Sequence, residues 1–218
     1  MAQKNIRRAV DQNKAGIAYF ESWEIDNAIE AFDHAVTADP GNPEYRLNLA
    51  RAYARAGVYD KAMHSLGEYL RLETEEDVAS RYEWLFSSAL DKVETILIET
   101  MRQMGMPIQQ VGKAIQMWLE YRITIGRRPL RVPKPELWAA AITYAVCKVN
   151  LIGARRAEIA RTYQVKERSL KEKYDELVTT LDLMPADYRY FTGEENPLDK
   201  LVEAAQLLEE LDHRFQQE

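Results

Sequence analysis

Residues 16–35 read GIAYFESWEIDNAIEAFDHA, and residues 50–69 read ARAYARAGVYDKAMHSLGEY. The two stretches carry similar residues at an offset of 34, in the pairs Gly16 and Ala50, Tyr19 and Tyr53, Ala28 and Ala62, Phe32 and Leu66, and Ala35 and Tyr69. Thirty-four residues is the length of a helix-turn-helix repeat unit. Because such a unit cannot bury its apolar face alone, the pattern predicts stacked helical hairpins that leave a surface free for a partner.

Small residues mark the places where two antiparallel helices must approach closely. Gly16 lies on the first helix, and Ala28 and Ala35 lie on the second, with Phe32 wedged between the two helices. Larger side chains at the small positions would push the helices apart. The Asp-Pro-Gly sequence at 39–41 then ends the helical pattern, because proline is poorly accommodated in a helix interior.

Small, aromatic and proline residues at these offsets resemble the tetratricopeptide repeat family, with one repeat over 9–42 and a second over 43–76. The chain departs from the family at Gln12 and Arg46, which replace a large aromatic residue, and at Thr74, which replaces a closing proline. The resemblance implies a groove that binds a protein partner.

Some family members hold the C-terminal carboxylate of chaperone tails with a lysine and an asparagine one turn apart. The matching positions here carry Asn13 and Ile17 in the first repeat and Leu47 and Arg51 in the second. Chaperone tails are therefore not the expected ligand, and these four residues are the candidate groove residues for another protein. The alternative is that the repeats only pack against the rest of the chain.

The composition is that of an ordinary globular chain, with 46% hydrophobic and 29% charged residues among 218. No apolar run approaches the roughly 18 residues that cross a bilayer, and no signal segment follows residues 1–8. We therefore expect no membrane partner and a cytoplasmic location, or a nuclear one in a cell with a nucleus.

Residues that catalyse reactions or bind metals are sparse. Cys147 is the only cysteine, and its setting among helix formers indicates a buried structural thiol. His34, His64 and His213 have no metal-ligand spacing, and no phosphate-binding loop or nucleophile elbow appears. The sequence therefore predicts no metal, no cofactor and no enzyme.

The second half of the chain carries further helical patterns. Apolar residues at intervals of three and four predict a long helix over 77–104, whose first part would cap the repeats. Glycine and proline signals predict helices at 107–125, 136–150, 153–163 and 166–181. The 136–150 helix is alanine-rich and almost wholly apolar, which is typical of the centre of a bundle.

Four short stretches in this half are PIQQVGKA at 107–114, GRR at 126–128, AAAITY at 139–144 and EIA at 158–160. Together they resemble one core repeat of transcription factor IIB over residues 92–181. The resemblance implies a five-helix cyclin-like bundle and a role near transcription. The chain has one such repeat and no zinc ribbon, and Arg155 replaces the threonine that often precedes the last stretch, so a general initiation factor of the usual form is excluded.

The segment 122–173 is basic within an acidic chain. It carries 13 lysines and arginines and four acidic residues, against a net charge of −6 for the whole chain. Such an asymmetry indicates either a polyanionic partner or ion pairs within the chain.

Residues 154–177 are also compatible with a DNA-binding helix-turn-helix, in which Ala157, Ile159 and Ala160 face inward and Leu170, Tyr174 and Leu177 anchor the second helix. The candidate nucleic-acid contacts are Arg155, Arg156, Arg161, Lys166, Arg168, Lys171 and Lys173, with Arg127, Arg128 and Arg131 in the preceding loop. The alternative is a solvated helix face, because Glu167, Glu172, Asp175 and Glu176 interrupt the pattern and Lys171 and Asp175 are spaced as an ion pair.

The C-terminal part combines a loop and an acidic amphipathic segment. Residues 182–196 are predicted to form an ordered loop on the surface, and a last helix begins at Pro197 with one apolar stripe. That stripe either packs on the bundle or pairs with a second copy of the chain, which would make a homodimer.

The sequence thus predicts an all-α, non-enzymatic adaptor. Residues 1–76 form two tetratricopeptide-like repeats, 77–104 a capping and connecting helix, 92–181 a cyclin-like domain, and 182–218 a loop and an acidic helix. The alternatives are a DNA-binding transcriptional regulator and a structural assembly subunit.

Overall fold

The computed structural model describes residues 2–76, 78, 91–126, 128, 130–194 and 199. The helices in this part of the chain are α1 (Ala2–Glu21), α2 (Ile25–Ala38), α3 (Pro43–Arg55), α4 (Tyr59–Leu70), α5 (Lys92–Gln103), α6 (Ile108–Thr124), α7 (Pro135–Val149), α8 (Arg156–Thr162) and α9 (Glu167–Leu181). No strand occurs among the residues that the structure describes. The predicted all-α fold is confirmed.

Helices α6 to α9 lie where the sequence places them, within three residues at each end. The predicted helix over 77–104 is described as α5 in its later part, while residues 77 and 79–90 lie outside the described residues. The predicted C-terminal helix also lies outside them, apart from the exposed Asp199. Among the described helices, none is long and apolar enough to span a membrane.

The chain divides into two compact units. Unit 1 comprises Met1–Asp91 and Trp118–Arg131, and unit 2 comprises Lys92–Met117 and Val132–Glu218. Helix α6 contributes residues to both units. The domain boundaries given by the sequence remain predictions.

Unit 1 is built from two helical hairpins, α1 with α2 and α3 with α4. Ala28 and Phe32 of the first hairpin pack on Leu49 and Ala52 of the second, as stacked repeats require. A second core cluster joins Leu47, Ala50, Leu66 and Tyr69 with Val78 and with Ile123 from α6. The end of α6 therefore covers the second hairpin, a contact that the repeat pattern does not contain.

The close approach of the first hairpin occurs at Gly16. A methyl group added there would lie 2.6 Å from the ring of Phe32, which is buried. The small residue is therefore a packing requirement, as the sequence indicates, and not merely a tolerated one.

We expect Gly16→Ala to destabilise the protein by about 1–3 kcal/mol, because overpacking outweighs the gain in helix propensity. Gly112→Ala in α6 is the matched control, since nothing lies within 4 Å of its added methyl group, and it should stabilise by about 0.5–1 kcal/mol. Urea unfolding of both variants measures the difference. Equal stabilisation by both changes would contradict the packing argument.

Unit 2 is centred on α7. Residues from Trp138 to Cys147 on this helix are all buried, and α7 packs against α5, α8 and α9. An apolar helix surrounded by others is what the sequence predicts at this position.

The loop after α9 is ordered against α7 in the described range 182–194. Ala186 and Tyr190 are buried, and the Asn150 side chain donates to the Tyr190 carbonyl (3.1 Å) and accepts from the Thr192 backbone N–H (2.7 Å). The predicted ordered loop is confirmed for these residues.

Candidate functional site

A groove of about 220 Å³ opens on unit 1 between α1, α2 and α3. Apolar and polar side chains both line it, and they are those of Ile17, Phe20, Glu21, Phe32, Glu44, Asn48 and Arg51. Ile17 is 37% exposed, so an apolar side chain is presented to solvent beside charged groups of both signs. Such a surface suits a partner that offers an apolar residue with polar neighbours.

The four predicted groove residues take three different roles. Ile17 and Arg51 line the groove. Asn13 is buried behind it, where its Oδ1 accepts a hydrogen bond from Asn48 Nδ2 at 3.0 Å. Leu47 does not line it, because its side chain is 3% exposed and lies in the core cluster of the second hairpin.

Asn48 connects the groove to its support and was not among the predicted residues. Arg51 Nη1 donates to Asn48 Oδ1 at 2.9 Å, so Asn13, Asn48 and Arg51 form one hydrogen-bonded chain. On its other side the Arg51 guanidinium meets the turn after α6 at Gly126. These contacts fix the cation at the groove rim before any partner arrives. The signal that could have identified Asn48 is its position one turn before Ala52, on a helix whose other buried residues are apolar apart from Arg55.

Arg155, just before α8, and most basic residues of α8 and α9 pair with carboxylates of the same unit. The ion pairs are Arg155 with Glu158, Arg156 with Glu167 (2.8 Å), Arg168 with Glu172 (3.1 Å), Lys171 with Asp175, and Lys173 with Glu176. The pairing of Lys171 with Asp175 confirms the spacing argument. Cations that are paired with carboxylates attract phosphate less than isolated cations do. The ion pairs therefore favour a solvated helix face over a DNA-binding one.

The remaining candidates for nucleic-acid contact are placed differently. Arg161 Nε donates to the Ala157 carbonyl at 3.4 Å, and Lys166 is exposed. Arg128 is exposed and donates to the Ile125 carbonyl at 3.3 Å, and Arg131 is exposed. Arg127 lies outside the described residues.

The packing of α8 and α9 agrees with most of the helix-turn-helix prediction. Ile159, Ala160, Leu170 and Leu177 are buried. Tyr174 is half-buried, with its ring edge-on to Tyr144 at 4.9 Å. Ala157 is exposed, so its predicted inward position is wrong. The buried residues are those that hold the two helices together, and they do not bear on contact with DNA. DNA binding therefore stays a prediction.

A thiol and a phenol, those of Cys147 and Tyr163, are buried in the core of unit 2. Burial raises the pKa of the Cys147 thiol to about 11. Burial likewise raises the pKa of Tyr163 to about 12, opposed by a hydrogen bond with the Thr143 hydroxyl at 2.6 Å. Both groups stay neutral near pH 7, and Cys147 lacks the thiolate character that a nucleophile needs.

These two pKa values predict a loss of stability in alkali. In the unfolded chain the thiol ionises near pH 9 and the phenol near pH 10, while the folded groups stay protonated to about 11 and 12. The unfolded state therefore binds fewer protons, and the free energy of unfolding falls as the pH rises through this window, by up to about 2–3 kcal/mol for each group. Melting temperatures from pH 8 to 12 measure the effect.

The control is the double variant Cys147→Ala, Tyr163→Phe. Its melting temperature, compared with its own value at pH 8, should fall less steeply with pH than that of the wild type. An unchanged slope in that double variant would contradict the assignment of the effect to these two groups.

Comparison with known proteins identifies the repeat class. The tetratricopeptide repeat family model matches residues 19–80, so a tetratricopeptide repeat lies in unit 1. Repeats of this class are typically non-catalytic modules for protein–protein interaction. No curated protein and no solved structure matches the chain.

The match begins ten residues inside the first predicted repeat (9–42), includes all of the second (43–76), and does not extend beyond residue 80. The cyclin-like resemblance over 92–181 thus remains a prediction. Among the described residues, no cluster of three or more His, Cys, Asp or Glu side chains has the geometry to hold a metal ion.

Proposed function

We propose that the chain is a non-catalytic adaptor that binds a protein partner in the groove of unit 1. The observation that supports this most directly is the exposed Ile17 beside Arg51, in a groove whose other lining residues lie within the 19–80 match to a tetratricopeptide repeat. Ile17 supplies apolar contact area, and the held guanidinium of Arg51 provides a directional donor for a carbonyl or carboxylate of the partner.

The proposal extends to a second domain over 92–181 that engages another protein, with a role near transcription. It is supported by the resemblance to a core repeat of transcription factor IIB and by the buried, alanine-rich α7. The ion pairs on α8 and α9 favour a protein over nucleic acid as the partner of this half. DNA binding by the basic segment is then the outcome that would replace this part of the proposal.

Affinity capture from the native cell, with and without nuclease, tests both parts. Ile17→Glu should abolish capture of the principal partner by placing a charge in the groove. Thr37→Glu, which adds the same charge at an exposed position on α2, should leave capture unchanged. Equal capture by both variants would exclude the groove, and a partner lost on nuclease treatment would favour the DNA-binding alternative.

A further inference from the structure

A larger cavity, of about 740 Å³, lies in unit 2. Its walls come from α5, from the start of α7, and from the turn between α8 and α9. Its polar lining includes Thr100, Lys134, Glu136, Tyr163, Lys166 and Ser169. A volume of this size falls in the range of about 300–1,000 Å³ that is typical of small-molecule sites.

Two lysines set the charge of this cavity. Lys134 and Lys166 are both exposed, and neither forms an ion pair with another described residue. The nearby Lys171 and Lys173, in contrast, are both paired with carboxylates. Glu136 is the single acidic residue in the lining, so the cavity has an excess of positive charge.

The polar wall of the cavity is held in place by contacts behind it. Tyr163 is buried, and its hydroxyl is fixed by Thr143 at 2.6 Å and by Thr100. Ser169 adds a further hydroxyl to the lining. Ammonium and hydroxyl groups are the side-chain donors that bind oxyanions.

We propose that this cavity binds a small molecule that carries a phosphate group, with Lys134 and Lys166 as its charge partners. A phosphate monoester bears about −1.5 to −2 charge at pH 7. It therefore balances the charge of two ammonium groups better than a ligand with a single carboxylate would. A concave site of this volume favours a small ligand over a nucleic-acid strand, whose backbone binds along an extended surface. This site is separate from the groove proposed to bind a protein.

Isothermal titration calorimetry at constant ionic strength tests the proposal with two probes, inorganic phosphate and phenyl phosphate. Both should bind the wild type, and the double variant Lys134→Gln, Lys166→Gln should bind at least about tenfold more weakly. The matched control is Arg168→Gln, Lys171→Gln, which removes the same charge from paired positions on α9 and should change affinity by less than about twofold.

Three results would overturn the proposal. The first is that neither probe gives a binding heat at about 10 mM, which would mean that any dissociation constant is weaker than about that value. The second is equal weakening in the two double variants, which would indicate nonspecific attraction by net charge. The third is binding of a short DNA duplex without binding of either phosphate, which would assign the lysines to a nucleic-acid backbone. Thermal melting of each variant confirms that it is folded.

Discussion

Replacing Arg55 with methionine should lower the free energy of unfolding by about 3–5 kcal/mol, the typical cost of removing one partner from a buried ion pair. Arg55 Nε lies 3.7 Å from Glu120 Oε1, and the two side chains are only 6% and 0% exposed. Methionine retains much of the apolar stem but leaves the Glu120 carboxylate in the interior without this counter-charge.

The same guanidinium also packs on aromatic rings. Its Cζ lies 4.3 Å from the centre of the Phe20 ring and 4.9 Å from that of Trp23. Cation–π contacts of this kind contribute about 0.5–2 kcal/mol each, with the higher values at desolvated sites. Arg55 therefore joins the end of α1, α3 and α6 within unit 1, and its loss affects all three.

Urea unfolding of three variants separates these contributions. Arg55→Met with Glu120→Met should recover most of the stability that Arg55→Met loses, because neither charge of this pair remains in the interior. Arg71→Met is the control, since the Arg71 side chain is 77% exposed in its ion pair with Glu68, and it should cost less than about 1 kcal/mol. A loss no larger for Arg55→Met than for Arg71→Met would refute a stabilising role for the buried pair.

The second large effect is expected at Arg189, in the loop after α9. Its Nε donates to Asp187 Oδ1 at 3.0 Å, and its Nη2 donates to Asp187 Oδ2 and to the Leu181 carbonyl, both at 2.8 Å. The side chains of Arg189 and Asp187 are 2% and 1% exposed. Arg189→Met should cost about 3–5 kcal/mol, since it leaves a buried carboxylate and the end of α9 without these donors.

Hydrogen exchange provides the local readout for this variant, because amides of residues 182–194 should lose protection before those of α7. Arg189→Lys should rescue little, since a lysine cannot reproduce the planar two-pronged geometry of a guanidinium. Arg168→Met, at an exposed pair, is the control. Full rescue by lysine would show that charge alone, and not the fork of donors, holds the loop.

The repeat period and the apolar patterns are enough to predict the described helices of both units. The offset of 34 residues located the hairpins of unit 1, and the apolar run at 136–150 located the central helix of unit 2. These signals are local, since each depends on residues within one or two turns or one repeat. The close approach of Gly16 to Phe32 can be predicted from the sequence for the same reason.

Contacts between residues that are far apart in the sequence cannot be predicted from such local patterns. Glu120 lies 65 positions after Arg55, and a lone carboxylate in a helical pattern is ordinarily a surface residue. Ile123 likewise joins the core of the second hairpin from α6, which no repeat rule includes. The same limit explains why helix position alone predicts Leu47 as a groove residue, since it does not reveal that Ile123 of α6 packs on that side.

The turn at Gly126 has a consequence for how this chain can change over time. Gly126 has φ +58°, and a Cβ atom at that position would lie 2.9 Å from Cζ of Arg51. Any other residue at 126 would thus displace the arginine at the groove rim, whereas a shorter residue at 51 would make room for it. Positions 51 and 126 should therefore covary among homologues, with glycine retained wherever the arginine is.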